Sequence, residues 1–222
     1  YIQQRKQAMA ERQSSGRQLL LDIREGFQYL LGEKGLLAVA VYFTFSALAS
    51  GASQVITLPY FKGAFENGEY IYSMVWGTLL VGRALGGLFH YKVQIPRKYK
   101  YTIALTVYIT ISVLEGTYLY TPVPVMMLML FFVGVLGVTS YTIRISATQS
   151  YVPHEKKGRF NGAFNMLNTV GSLTGQLTAG ALTAVLMPRT VLLGFMLLTA
   201  VAAVIFIGGN RTAVSAIYNR QQ

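Results

Sequence analysis

The 222-residue sequence contains no cysteine, so a disulfide framework, thiol catalysis and thiolate metal ligation are all excluded. It has only two histidines, His90 and His154, and neither has a partner at metal-ligand spacing, so no metal is expected. Acidic residues are scarce, eight Asp and Glu against nineteen Lys and Arg, and no aspartate falls inside a long apolar run. That rules out an intramembrane aspartyl enzyme. Neither a nucleophile–base pair nor a phosphate-cradling glycine loop is recognisable, so no cofactor and no enzymatic activity are expected. The first residues, YIQQRKQAMAERQSSGRQ, lack the apolar core of a signal peptide. A start at Tyr1 rather than methionine reads as a piece of a longer protein.

What the sequence does have is apolar surface. Hydrophobic residues make up 53% and charged residues 12%, which is about half the charged share of an ordinary soluble domain. A net charge of +11 would ordinarily raise nucleic acid as a partner, but here the bases cluster between long apolar runs. That arrangement points to a lipid bilayer instead. Six runs are each long enough to cross a hydrocarbon core of about 30 Å: Leu36–Phe61, Tyr70–Tyr91, Tyr99–Leu119, Val123–Ser150, Phe160–Met187 and Val191–Gly209. They divide the chain into a linker over 1–35, a six-helix body over 36–210 and a tail over 211–222. Within the linker, Leu20, Ile23, Phe27, Leu30 and Leu31 share a helical face opposite Asp22, Glu25 and Glu33, as in a helix lying on a membrane surface.

Basic residues are distributed unevenly over the connections. Fifteen fall on the side of the linker, the tail and two loops holding Lys92, Arg97, Lys98 and Lys100, and Lys156, Lys157 and Arg159. Only Lys62 and Arg189 fall on the other. The positive-inside rule then makes both termini cytoplasmic. The two remaining cations, Arg83 and Arg144, lie within the second and fourth runs, about 10–12 Å from the cytoplasmic end at 1.5 Å per residue. Each either faces a substrate or ion path or snorkels to the headgroups. Glu115 is the one acid inside a run; it reads as a solvated rim residue and is also the only candidate here for a proton carrier.

Polar side chains form stripes on three runs. Ser46, Ser50, Ser53, Gln54 and Thr57 lie on the first, and Ser140, Tyr141, Arg144 and Thr148 on the fourth. The fifth carries Asn161, Asn165, Asn168, Ser172 and Gln176, alongside a small-residue face of Gly171, Gly175 and Ala179. Gly82 and Gly86 form a second small-residue pair, suited to close helix packing. Serine and threonine often serve only such packing; three stripes together read as the lining of a wet path.

The order of these features resembles the C-terminal half of a major facilitator superfamily transporter. Within that superfamily it looks most like the bacterial drug and siderophore exporters, the group of the macrolide efflux and enterobactin export proteins. The resemblance runs from about Leu19 to Asn210 and rests on two motifs. In the linker, LLLDIREGFQYLL supplies Asp22, Arg24, Glu25 and Gly26; after the fourth run, VPHEKKGRF supplies Val152, Pro153, Glu155, Lys157, Gly158 and Arg159. Two positions depart from the pattern. Tyr91 stands where the family loop has aspartate, and Gly175-Gln176 where it has Gly-Pro.

The resemblance implies an all-α membrane protein whose six transmembrane helices form two inverted three-helix repeats, packed against an N-terminal half of the same transporter. It implies a secondary active exporter of small molecules in the bacterial inner membrane, working by alternating access and driven by protons. Arg144, Arg83, Gln54, Ser50, Asn165, Asn168 and Gln176 are then expected at the cavity. Gly82, Gly86, Gly171, Gly175, Lys157, Gly158 and Arg159 are expected at gating and packing positions, and the proton carrier mainly in the other half. Two intramembrane arginines favour polar or anionic substrates. The alternatives are efflux of cationic or neutral drugs, and a scaffold or receptor that keeps the fold without transport.

Overall fold

The computed structural model describes residues 21, 23–93 and 95–220. Expectations that fall on residues 1–20, on Asp22 and on the last two residues lie outside the described residues. A first helix, α1, spans residues 23–32. It is followed by α2 (Lys34–Ala64), α3 (Gly68–Lys92), α4 (Lys100–Thr117), α5 (Val123–Tyr151), α6 (Lys157–Thr183), α7 (Pro188–Ala202) and α8 (Arg211–Tyr218). Short 3₁₀ turns at Arg97–Tyr99, Tyr118–Tyr120 and His154–Lys156 join the long helices, and a π-helical turn, Ala203–Gly208, extends α7. The described residues contain no strand.

Helix is the local structure these residues dictate. In an apolar medium every backbone N–H and C=O must be paired within its own segment, and a helix does this without a neighbour. Proline falls where a helix tolerates it: Pro188 opens α7 and Pro124 lies in the first turn of α5. Pro59 is the exception, lying inside α2 near its end at Ala64.

Five stretches among the described residues are long and apolar enough to cross a membrane: Lys34–Ala64, Gly68–Lys92, Arg97–Tyr120, Val123–Tyr151 and Pro188–Gly208. The chain is therefore a multi-pass membrane protein in character. The expected fifth run differs. Helix α6 has the length, 27 residues, but Asn161, Asn165, Asn168, Ser172, Gln176 and its glycines replace the leucine and isoleucine that would make it comparably apolar.

The helices pair in a definite pattern. Helix α2 lies along α6 and touches α7; α3 lies along α5; α4 touches both α5 and α7. Their apolar faces meet in two clusters. One, at the end where the basic loops gather, holds Tyr42, Tyr108, Ile143, Phe160 and Tyr218. The other, at the opposite end, holds Phe61, Leu79, Tyr118, Leu130 and Leu192. The expected tail is not a free segment. Its first part folds as α8, which buries Val214, Ile217 and Tyr218 against α2, α4 and α5.

The linker helix is fixed to the same end. Glu25 forms a 2.5 Å ion pair with Arg159, and Glu33 accepts a 2.8 Å hydrogen bond from the Tyr151 hydroxyl. Gly26 packs directly on the Arg159 carbonyl, where a larger residue would collide with backbone. Leu31 is 65% exposed, so the amphipathic face is only partly used.

Candidate functional site

Four glycines set the helix spacing. At the α2–α6 crossing, a Cβ on Gly51 would strike the Ser172 carbonyl, and one on Gly175 the Leu48 carbonyl. At the α3–α5 crossing, a Cβ on Gly134 would strike the Leu79 carbonyl, and one on Gly82 the Phe131 carbonyl. Gly171 meets the Thr44 carbonyl and Gly86 meets Val135, so Gly82, Gly86, Gly171 and Gly175 all lie at close helix approaches. Gly158 does not: a Cβ there meets nothing within 4 Å. Arg159 ties α6 to the linker, and Lys157 is half-buried at the start of α6.

With α2 and α6 drawn together, the polar stripes come onto adjoining surfaces. Gln176 donates to Gln54 Oε1 at 3.4 Å, bridging the two helices. Ser50 and Asn165 are exposed, while Asn168 donates to the Phe164 carbonyl of its own helix at 2.7 Å. Arg144 projects from α5 into the same region. Its guanidinium lies 4.8 Å from the Phe164 ring, 5.0 Å from Phe43 and 5.4 Å from Tyr141. Three rings from three helices thus hold one cation, an arrangement that attracts it through the ring quadrupoles. No carboxylate pairs with Arg144 among the described residues.

A buried phenol cluster lies close by. Tyr108 stacks on Tyr42 at 4.5 Å, contacts Phe43 at 5.5 Å and shares a 2.8 Å hydroxyl hydrogen bond with Tyr218 of α8. Phe43, Phe164 and Tyr108 had no place in the stripes read from the sequence; only Tyr141 did. The available signal was indirect, since aromatic residues on α2, α4 and α6 read as ordinary apolar surface until the pairings are known.

Two expected residues stand apart. Arg83 is exposed on α3 and makes no hydrogen bond, ion pair or ring contact with the Arg144 cluster among the described residues. Glu115 is half-buried near the end of α4 and makes no hydrogen bond or ion pair among the described residues. Three residues after Glu115, the Tyr118 hydroxyl is buried with no hydrogen-bond partner among the described residues, as is the Trp76 indole N–H. No group of three or more His, Asp or Glu among the described residues could hold a metal ion.

No protein-family model matches the chain, and neither a curated protein nor a solved structure matches it. What the fold and the site define is a polytopic helical membrane protein with an arginine held among aromatic rings where three helices meet.

Proposed function

We propose that the chain is the C-terminal half of a secondary active exporter of the major facilitator type, with α6 as its sixth span. The observation that carries this reading is the repetition of one helix contact. Exchanging α2 with α5, and α6 with α3, turns the Gly51–Ser172 and Gly175–Leu48 approaches into Gly134–Leu79 and Gly82–Phe131. The lesser pairing of α2 with α7 becomes that of α5 with α4 under the same exchange. Because α2 starts at the basic end and α5 finishes there, the exchange also reverses direction, as an inverted repeat requires. Tight glycine crossings let paired helices move as rigid units, which is the mechanical need of alternating access.

In this reading the polar side chains of α6 face the path rather than lipid, and so tolerate a span that composition alone disfavours. Arg144 supplies the cavity with a fixed positive charge. Without a protein carboxylate to neutralise it, an anionic or polar substrate is the better complement. Gln54, Ser50, Asn165, Asn168 and Gln176 offer hydrogen bonds along the same surface. Glu115 is the proton-coupling candidate of this half, and the N-terminal half of the same transporter supplies the rest. The bacterial inner membrane is the location that the exporter reading implies, and the charge asymmetry of the loops supports both termini being cytoplasmic. Efflux of cationic or neutral drugs is the second reading; the ring cluster of Phe43, Tyr141 and Phe164 favours it, because aromatic walls suit flat apolar solutes.

Proton-driven uptake into inverted vesicles carrying the intact protein tests this. Accumulation of an anionic siderophore-like compound, reduced at least tenfold by Arg144→Ala, is the expected result. Accumulation of a cationic drug, unchanged by that substitution, would select the second reading. No accumulation of either would favour a scaffold.

A further inference from the structure

At the basic end of the bundle a cavity of about 450 Å³ opens between the end of α3, the start of α4 and the last turns of α5. This is within the size range of small-ligand sites, about 300–1,000 Å³. Its cations are Arg97 and Lys100, and no acidic residue lines it. Lys100 donates to Ser146 Oγ at 3.5 Å, and neither Lys100 nor Arg97 enters an ion pair among the described residues. His90 lies on the α3 side, its Nε2 2.7 Å from Thr139 Oγ1. Because that hydroxyl donates to the Val135 carbonyl at 3.3 Å, it accepts from His90, which orients the ring. Ile95 and Ile143 add apolar lining to the same cavity.

The depth of the cavity is informative. Arg97 and Lys100 sit at the foot of α4, and Ser146 lies five residues from the end of α5, about 7 Å along the helix. Tyr91 and Tyr99, on the segments that carry the cavity, are 88% and 52% exposed, as aromatic residues at a membrane–water interface are. The lining combines apolar side chains with a guanidinium fork and an ammonium, at the end of the helices where lipid phosphate groups are expected.

We propose that this cavity is a binding site for a phosphate group, with Arg97 and Lys100 as its ligands and Ile95 and Ile143 against the group that carries the phosphate. The phosphate comes either from an anionic phospholipid, whose glycerol and upper acyl chain meet the isoleucines, or from a soluble phosphate compound. The site is separate from the Arg144 cluster: Thr142, Ile143 and Ser146 line it from α5, while Arg144 is held by Phe43 and Phe164. It does not depend on the transport reading.

The test titrates short-chain phosphatidylglycerol, short-chain phosphatidylcholine and inorganic phosphate into the intact protein in a neutral detergent, reading the apparent Kd. Phosphatidylglycerol is expected to bind at least tenfold more tightly than phosphatidylcholine. Arg97→Gln and Lys100→Gln are each expected to weaken it about fivefold, the worth of one basic residue near a lipid surface. The Arg97 side chain is exposed and enters no hydrogen bond or ion pair among the described residues, so Arg97→Gln is expected to fold, and Arg97→Lys to keep most of the affinity. Binding of inorganic phosphate that competes with the lipid and weakens in the same variants supports the site and identifies the source as soluble. Equal binding of the two lipids without phosphate competition overturns the proposal. So does a Lys98→Gln effect as large as that of Arg97→Gln, because Lys98 carries charge at the same surface without lining the cavity.

Discussion

Arg144 and Tyr218 illustrate how this chain keeps polar groups inside an apolar bundle. Arg144 exchanges water for three ring faces, which leaves its hydrogen-bond donors free for a ligand. Tyr218, on α8 outside the spans, instead satisfies its hydroxyl on Tyr108 at 2.8 Å. Burial, and then the neighbouring Tyr108 phenol, hold the Tyr218 proton on well above the ordinary tyrosine range. A folded-state pKa raised in this way contributes stability that is complete below the unfolded value, about 10, and is lost as pH climbs above it. Thermal unfolding of the purified protein is therefore expected to fall between about pH 10 and pH 11, and to fall less steeply in Tyr218→Phe. An equal slope in the two proteins would mean that Tyr218 does not titrate across unfolding. Arg144 was legible in the sequence as a cation inside an apolar run. Of its ring neighbours only Tyr141, on the same helix, was; Phe43 and Phe164 come from α2 and α6, whose placement beside α5 no local pattern specifies.

The crossing glycines are where a helix-level signal translated most directly into structure. A Gly82/Gly86 spacing and a Gly171/Gly175 spacing each place small residues on one face, and each pair does lie against a partner backbone. The partner positions, Gly51 and Gly134, carried no such four-residue signal: the other glycines of α2, Gly35 and Gly63, lie far from Gly51 along the helix, and Gly137 follows Gly134 by three residues. Helix α6 shows the opposite difficulty. Its polar residues give a clear stripe, yet the same residues lower its hydropathy below that of the five apolar spans. Two opposing terms decide what a methyl group does here. Alanine is better than glycine in a helix by about 1 kcal/mol, whereas overpacking a close contact costs about 1–3 kcal/mol. At Gly162 and Gly180 nothing lies within 4 Å of an added Cβ, so alanine is expected to be neutral or stabilising there. At Gly175 and Gly82 the Cβ meets backbone, which cannot swing aside, so alanine is expected to destabilise by up to about 2 kcal/mol net. Unfolding of the four variants in detergent separates these cases. Similar losses at Gly175 and Gly82 would match the equivalence of the two crossings, and a loss at only one would break it.

At the scale of the whole molecule, the sequence divides its positive charge unevenly between the two sets of connections, and that asymmetry predicts an orientation. Fifteen basic residues belong to one set of connections and two to the other. The helix order accounts for the grouping, because α2, α4 and α6 begin at the end where α3 and α5 finish. Moving that many Lys and Arg across a bilayer is far less favourable than moving two, so the crowded end is expected to stay in the cytoplasm. The absence of cysteine makes this directly measurable, since any introduced thiol is unique in the chain. Gly63, near the end of α2, and Gly158, in the first turn of α6, are both exposed with open space around them, so Gly63→Cys and Gly158→Cys disturb no packing. In intact cells, a membrane-impermeant maleimide is expected to label Gly63→Cys at once and Gly158→Cys only after permeabilisation. The reverse pattern would invert the molecule. It would also put the phosphate cavity, with Arg97 and Lys100, in the outer leaflet. Labelling of both variants in intact cells would mean that α2 and α6 do not begin on a common side, which would remove the six-span reading while leaving the helix crossings in place.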